Sequence, residues 1–486
     1  MSYTSFFFYI FVILLLLLYY VVKPRYRYLV LLAGSAVFYY FLCKSRVICL
    51  AFGLMIAGSY LAGRILGEIR GRIKQQGLVR SVFLFMVFVC LMPLLLSKVG
   101  NLFLSCIGRE SLNLWMLPIG LSFFSLQMVA YLADIYMGKI EPERNFLRYA
   151  LFLSFFPQII QGPIPRYEML SKELFEEHRF SEEKFMGGIQ LIIWGFFLKM
   201  MIADKAAVVV NTVFDSYYAY AGATLWVAAV LYSIQLYTDF LACVTLSRGV
   251  SLLFGIRLED NFARPYFAAS IKDFWRRWHI SLSRWLRDYV YIPLGGSRKG
   301  KWHKYGNLLI TFVISGIWHG SQLQFLAWGV LHAVYQIVGE YTVSLQKKVL
   351  SALRMEWDRG LGAAIRRVGT FGFVTFAWIL FRADSLKAGL VYIRNMFCVF
   401  NPWILFDDSL FDLGLSQKEW EILLPSIGIL LVVGILQERK TDIRQRFDRQ
   451  CIPVRWAVYL AAICGIWVFG TYGFGFDATD FIYGGF

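Results

Sequence analysis

The chain carries a histidine, His319, in a stretch where ionisable side chains are rare. It lies in VISGIWHGS (313–321), and no Asp, Glu, Lys or Arg occurs between Lys304 and Glu340. Ionisable residues inside a membrane tend to mark sites and pathways. An unperturbed imidazole titrates near pH ~6.5, so it can take a hydroxyl proton at neutral pH. The position predicts a catalytic or ligand-binding role, with a buried structural imidazole as the alternative.

Gly316 and Gly320 flank this histidine, and glycine permits close approach of another helix or of a ligand. His332 follows in the same uncharged run with no other polar feature around it, so we expect a structural role there. His303 and His178 lie in charged stretches, and we expect both to be solvated.

A second group of chemically capable residues lies in KDFWRRWHISLSRWLRDYVYIPLGG (272–296). At 100° per residue the aromatic and leucine side chains fall on one side, which predicts one amphipathic helix at the cytoplasmic interface, ended by Pro293. His279 lies at the edge of the apolar face, either as a packing residue or as part of the site. The opposite side carries basic residues that meet either anionic lipid headgroups or the phosphates of a cytosolic ligand. These are Arg276, Arg277, Arg284 and Arg287.

Other chemical signals are weaker. Asp239, in LYTDFLACVTLSRG, follows an apolar run and is either a helix end or part of a site. The sequence contains no P-loop, G-x-G-x-x-G, G-x-S-x-G or H-E-x-x-H motif. Its eight cysteines include no C-x-x-C pair. We therefore expect them to act as small hydrophobes and predict neither a metal site nor a disulfide framework.

The elements that position these residues are predicted to be membrane helices. The 486 residues are 58% hydrophobic and 17% charged, whereas a soluble domain carries roughly 25% charged residues. A spanning helix needs about 20 apolar residues, which predicts an all-α polytopic bundle of about 11–12 spans in one domain over the whole chain. The predicted spans lie near 4–22, 28–43, 47–63, 81–104, 113–137, 187–203, 223–243, 305–320, 323–339, 368–382, 421–437 and 455–472.

The net charge of +17 is concentrated in short loops, which is typical of cytoplasmic loops rather than of a nucleic-acid-binding surface. Alternation of the spans places both termini outside the cell membrane and the acid-leaning stretch 407–419 outside with them. The basic stretches predicted to be cytoplasmic are 64–80, 265–304, 354–367 and 439–455.

The segment LFLSFFPQIIQGPIPRYEML (151–170) cannot be a plain span, because Pro157, Pro163 and Pro165 interrupt a helix. Irregular backbone at membrane depth is tolerated only where protein or a water-filled cavity surrounds it. We therefore expect this segment to line a cavity, and the charged stretch 171–185 that follows to form a cytoplasmic helix.

Two long motifs in this chain resemble the membrane-bound O-acyltransferase family, in the branch of bacterial polysaccharide O-acetyltransferases typified by the alginate enzyme. The motifs are FWRRWHISLSRWLRDYVYIPLGGSRKG (274–300) and SGIWHG (315–320). The D-alanyl transferase of teichoic acid synthesis is a relative. Supporting stretches are LPIGLSFFSLQMVAYLADIY (117–136), FFPQIIQGPIPRYEML (155–170), KMMIAD (199–204) and FAWILFRADSLKAG (376–389).

The resemblance implies a family core over about 117–389 and a bundle perforated by a funnel, with the acyl donor entering from the cytosol and the acceptor from outside. It implies that His319 is the catalytic histidine and that His279 is the family's second characteristic histidine. We take as supporting residues Trp275, Trp278, Trp318 and Asp239. The chain departs from the family where Tyr237 and Asp239 are followed by LACVTL, without a second acid, and where it ends in FIYGGF.

We therefore expect a membrane O-acyltransferase with no bound cofactor. It would move an acyl group, most simply acetyl from acetyl-CoA or another cytosolic thioester, to a hydroxyl of an extracytoplasmic polysaccharide or of an acyl-accepting partner protein. His319 would be the general base and His279 an orienting residue. Transfer of D-alanine or a longer acyl group to a wall polymer such as teichoic acid is one alternative. The others are a structural scaffold and a transporter or flippase, which predicts inverted repeats and embedded carboxylates that the sequence lacks.

Overall fold

The computed structural model describes residues 3–43, 45–73, 75–110, 112 and 117–472, and the regular structure in these ranges is helical. The chain end FIYGGF lies outside them. The helices are α1 (Phe6–Val21), α2 (Arg27–Cys43), α3 (Arg46–Arg72), α4 (Gln76–Leu95), α5 (Asn101–Cys106), α6 (Leu121–Tyr136), α7 (Phe146–Ser154), α8 (Tyr167–Phe175), α9 (Glu182–Phe196), α10 (Asp204–Asp215), α11 (Ala223–Leu253), α12 (Ile271–Arg277), α13 (Ile280–Leu286), α14 (Lys301–His319), α15 (Leu323–Ala352), α16 (Gly360–Arg382), α17 (Leu386–Cys398), α18 (Gln417–Glu438), α19 (Ile443–Asp448) and α20 (Ile452–Phe469).

The prediction of an all-α polytopic membrane protein is confirmed, and each predicted span overlaps a helix. Within the described ranges, 8 helices are long and apolar enough to cross a membrane, and α1 and α6 are apolar but shorter. The remaining two predicted spans fall on α14 and α15, a helical hairpin interrupted at 320–322. The long helices are Pro24–Cys43, Arg46–Arg72, Gln76–Cys106, Glu182–Asp215, Ala223–Leu253, Gly360–Arg382, Gln417–Glu438 and Ile452–Phe469.

Two helices form the centre of the bundle. In α6 every residue from Leu121 to Ile135 is buried, and most of α11 is buried as well. By contrast, no residue of α20 is buried inside the protein. A helix that is apolar on all sides is typical of a fully surrounded position, so α6 and α11 provide the interior walls and α20 lies at the periphery.

The proline-containing segment does not form a continuous helix, as predicted. Helix α7 ends at Ser154 and α8 begins at Tyr167, and the irregular backbone between them is mostly buried. Side chains from distant helices pair with its backbone: the amide of Phe156 donates to Ser35 Oγ at 3.1 Å, and the amide of Ile164 donates to Ser281 Oγ at 3.0 Å. These bonds satisfy groups that would otherwise be costly at membrane depth.

The prediction of one charged helix over 171–185 is wrong. Helix α8 ends at Phe175 and α9 begins only at Glu182. His178 lies in the loop between them and is not solvated, because only 6% of its surface is exposed. Its ring nitrogen meets the carbonyl of Glu173 and its own carbonyl accepts a hydrogen bond from Arg27, so the loop is folded back onto the bundle.

The α14–α15 hairpin depends on two glycines at the helix crossing. A Cβ atom built on Gly316 would lie 2.4 Å from the carbonyl oxygen of Phe325, and one built on Gly329 would lie 2.4 Å from that of Phe312. A Cβ on Gly320 would collide with the Phe325 ring. Close approach of a helix therefore accounts for the glycines next to His319.

We expect Gly329→Ala to disturb this hairpin, because its new methyl group would press on the backbone of α14. Overpacking of this kind costs about 1–3 kcal/mol, so the melting temperature of the purified protein should fall. Gly339→Ala, in the same helix with nothing within 4 Å of the added Cβ, is the matched control and should leave it unchanged. Equal melting temperatures for the two variants would contradict the close approach of α14 to α15 at Gly329.

Candidate active site

His319 is the last residue of α14 and is buried, with 2% of its surface exposed. Three aromatic rings surround the imidazole edge-on: Trp318 at 4.7 Å, Trp328 at 5.2 Å and Phe381 at 5.2 Å between ring centroids. These rings come from α14, α15 and α16, so the site exists only when the three helices pack together. Ser315, one helical turn earlier, is also buried.

His279 lies at a break in the backbone, and the predicted continuous helix over 272–296 is wrong. Helix α12 ends at Arg277 and α13 begins at Ile280, and between them His279 has φ 45° and ψ 57°. This left-handed conformation is uncommon for a residue with a side chain. The break turns the ring inward, where its exposure is 0%, instead of leaving it at the edge of an interfacial helix.

Asn261 holds this break. Its Oδ1 accepts hydrogen bonds from the amide of Ser281 at 3.0 Å, from Ser281 Oγ at 2.8 Å and from His279 Nδ1 at 3.3 Å. Its backbone carbonyl accepts the amide of Ile280 at 2.9 Å. Since His279 Nδ1 carries the proton in this arrangement, Nε2 keeps its lone pair, and Nε2 meets no partner among the described residues. The ring can therefore accept a hydrogen bond.

The buried histidines and tryptophans form a row. Trp318 contacts His279, at 6.2 Å, and His319, at 4.7 Å between ring centroids. Trp328 contacts His319, at 5.2 Å, and His332, at 5.0 Å. The two histidines predicted to act in the site thus both lie beside one indole ring.

Hydrogen bonds orient two tryptophans in and beside this row, Trp318 and Trp275. The indole nitrogen of Trp318 donates to the carbonyl of Ser122 at 2.9 Å, which ties it to α6. The indole nitrogen of Trp275 donates to His332 Nδ1 at 3.3 Å, so His332 does have a polar neighbour that its sequence context did not reveal. Trp278 stacks on Phe274 at 5.4 Å. Trp275, Trp278 and Trp318, the supporting tryptophans, are all buried in this region.

Asp239 is part of a buried ion cluster that sequence reasoning missed. Lys199 Nζ lies 2.8 Å from its carboxylate and 2.9 Å from that of Asp204. A π turn over Phe197–Ala203 connects α9 to α10, and such turns pair residues five apart, which stacks Lys199 on Asp204. The next residue of α11, Phe240, meets the His279 ring at 4.9 Å. The sequence feature that could have revealed this cluster is Lys199 itself, a lysine inside the predicted span 187–203.

The structure does not bring the four predicted phosphate-binding arginines together in one group. Arg277 pairs with Asp273 and with Glu438, and Arg287, which is largely exposed, pairs with Asp288. Arg276 is exposed. Arg284 lines a small cavity, where its Nη1 lies 3.0 Å from both carboxylate oxygens of Glu259. The arginines are separated because the break at His279 divides the predicted helix into α12 and α13, which point their side chains in different directions.

Two neighbouring clefts open beside the proline-containing segment and share Pro165 and Glu259. The larger has a volume of about 430 Å³. Gln158, which lines it, is 1% exposed, and its amide meets no partner among the described residues. The smaller cavity extends to Ser281, two positions beyond His279. The prediction that this segment lines a cavity is confirmed, but neither lining includes His279 or His319.

Comparison with known proteins shows similarity over most of the chain. The membrane-bound O-acyltransferase family matches residues 143–376, a range that includes both site histidines. The chain is 35% identical over 390 residues to a probable alginate O-acetylase of Pseudomonas fluorescens, covering 78% of this chain and 72% of the relative. It is 35% identical to a peptidoglycan O-acetyltransferase of Helicobacter pylori, covering 59% and 58%. It is 29% identical to a teichoic acid D-alanyltransferase of Bacillus subtilis, covering 63% and 79%.

We expect Asn261→Leu to collapse the break at His279, because it removes the acceptor of three buried donors at similar volume. Each unpaired buried donor costs about 1–3 kcal/mol, so both the melting temperature and acyl transfer should fall. Ser283→Ala, which removes a single bond to the Trp278 carbonyl at 3.2 Å, is the nearby control and should cost far less. If Asn261→Leu were as stable as Ser283→Ala, this role of Asn261 would be refuted.

Proposed function

The chain belongs to the membrane-bound O-acyltransferase family and is a multi-pass membrane O-acyltransferase, and from this we infer the reaction that its site performs. We propose that it transfers an acetyl group from acetyl-CoA on the cytosolic side to a hydroxyl of an extracytoplasmic glycan, or to a partner protein that completes the transfer. The relatives named for alginate and peptidoglycan support a glycan acceptor and an acetyl group.

The observation that carries this proposal is the placement of His319 at the end of α14, within a shell of aromatic rings. We propose that its neutral imidazole removes the acceptor hydroxyl proton as the oxygen attacks the thioester carbonyl. The C–S bond then breaks, and the departing thiolate takes that proton from the imidazolium. General base catalysis of this kind contributes about 10²–10⁴-fold in rate. A covalent acyl-histidine intermediate is not required.

The other site residues support the reaction by positioning. His279 would orient the acceptor or the imidazole of His319 across Trp318, through the lone pair on Nε2 that Asn261 leaves available. The ion pairs of Asp239 hold α11 in place behind Phe240 and so hold the His279 ring. Because only 2% of the His319 surface is exposed within this shell, the two substrates would have to enter between the rings, which would exclude water from the reacting groups.

The charge pattern supports the direction of transfer. With the four basic stretches in the cytosol, both termini are outside and α14 begins at the cytosolic face. Arg284 belongs to the basic stretch 265–304 and Arg257 shortly precedes it, so this topology assigns the clefts that they line to the cytosolic side. We propose that these clefts receive the nucleotide phosphates of the donor. Arg284 is the candidate contact, since a guanidinium binds phosphate oxygens bidentately.

A second acyl group, D-alanyl, has support from relatives of lower identity. The teichoic acid D-alanyltransferase similarity is lower in identity, 29%, than the 35% of the acetylating relatives. Assaying the purified protein with acetyl-CoA as sole donor separates the two, because the D-alanyl reaction predicts that no free CoA is released.

His319→Ala should abolish acceptor-dependent CoA release from acetyl-CoA, with a loss of at least about 10²-fold. The matched control is His303→Ala, which removes an exposed histidine from the same helix and should leave the rate unchanged. Melting temperatures of both variants check that the fold is intact. Transfer that persists in a folded His319→Ala protein would rule out the proposed base.

Arg284→Gln should raise the KM for acetyl-CoA by about tenfold with little change in kcat, because a charge-assisted bond to phosphate is lost. Arg276→Gln, which neutralises an exposed arginine outside the clefts, should leave KM unchanged. Steady-state kinetics at saturating acceptor measures both. If the Arg276 variant alone raises KM, the donor binds at α12 and not in the cleft at Arg284, and the assignment is wrong.

A further inference from the structure

Glu259 lies on the wall between the two clefts beside the proline-containing segment, because it lines both of them together with Pro165. The two spaces differ greatly in size. The larger cleft has a volume of about 430 Å³, whereas the smaller cavity, which contains Arg284, has a volume of about 10 Å³. That is room for about one water molecule. The smaller cavity therefore cannot admit a phosphate group unless part of its wall moves.

The ion pair between Glu259 and Arg284 uses one nitrogen of the guanidinium. Arg284 Nη1 lies 3.0 Å from both carboxylate oxygens, and within the described part of the chain the hydrogen bonds of this side chain all come from Nη1. A guanidinium binds an anion most strongly through two parallel bonds from two nitrogens. The pair is also partly exposed, at 35% for Arg284 and 33% for Glu259. An anion that engages two nitrogens therefore has an advantage over Glu259.

The other ion pair that borders the smaller cavity is more firmly held. Arg166 pairs with Asp288, whose carboxylate is 11% exposed and also accepts a hydrogen bond from Arg287 at 2.8 Å. Two arginines thus hold Asp288, whereas among the described residues one holds Glu259. Glu259 also lies in the non-helical segment between α11 and α12. Of the two carboxylates, Glu259 is therefore the one that a ligand can displace.

We infer that Glu259 is an internal competitor of the donor, because its carboxylate occupies the position on Arg284 that a donor phosphate takes. This inference rests on the proposed function, since it takes the donor phosphates to enter the clefts. A phosphate that binds Arg284 through two nitrogens displaces the carboxylate, and the smaller cavity then opens into the larger cleft. Because CoA keeps these phosphates after the acyl group has left, the returning carboxylate also promotes release of this product. Glu259 thereby sets the affinity of the site for phosphorylated ligands.

The test measures binding of CoA, and of pantetheine as the same arm without phosphates, to the full chain in lipid nanodiscs. Glu259→Gln should tighten CoA binding about two- to fivefold, the range expected when one partly exposed ion pair is removed, and should leave pantetheine binding unchanged. Arg284→Gln should weaken CoA binding. The double variant should bind CoA as weakly as Arg284→Gln alone, because Glu259 acts through Arg284. A gain in affinity cannot arise from a damaged fold.

The matched control is Asp260→Asn, which removes the same charge from the next residue. Asp260 pairs with Arg248, has a side chain that is 66% exposed and lines neither cleft, so its loss should leave CoA binding unchanged. An equal gain in this control would reveal a general charge effect and overturn the inference. Unchanged or weaker CoA binding in Glu259→Gln would also overturn it, as would a gain that persists in the double variant. Failure of the proposed function appears in a separate assay, as acetyl-CoA from which no CoA is released.

Discussion

The structure depends on one constraint, which is that a backbone that leaves helical geometry inside an apolar bundle must find hydrogen-bond partners elsewhere in the protein. Asn261 meets that constraint at the site. Its side-chain oxygen takes three donors from the break between α12 and α13. Without it, buried donors would be left unpaired at a cost that the local sequence could not offset. The inward direction of His279 therefore follows from a residue in a different segment.

The row of buried histidines and tryptophans determines the local environment of the site. Trp318 and Trp328 contact three buried imidazoles, so each histidine lies in a low-dielectric environment where hydrogen bonds and charges act strongly. A shell of this kind would also keep water from the proposed thioester donor, which favours transfer to a bound hydroxyl over hydrolysis. The glycine crossing of α14 and α15 brings Trp328 against His319, and the packing of the hairpin thus decides the geometry of the proposed base.

Most charged side chains near the site form ion pairs within the protein, and this limits how many of them are available to bind a ligand. Lys199 joins two carboxylates, Arg277 joins Asp273 to Glu438, and Arg264 also meets Glu438. Such pairs connect segments that are far apart in the sequence and so position α11, α18 and the loop before α12. The number of arginines in the motif therefore overstates how many are available to a ligand.

Local properties of the sequence were sufficient for the spans, the break at the prolines and the exceptional position of His319, because hydropathy over about 20 residues and the missing amide of proline do not depend on distant contacts. Local properties could not predict the turn at His279 or the hydrogen bonds from Asn261 that hold it. They also could not predict the buried loop at His178 or the ion pairs of Lys199. Helical periodicity over 272–296 does not reveal one residue with a left-handed backbone. A hydrogen bond between distant segments leaves no pattern in the local sequence. Those features were decided by tertiary packing, since a buried polar group takes its conformation from the partner that satisfies it.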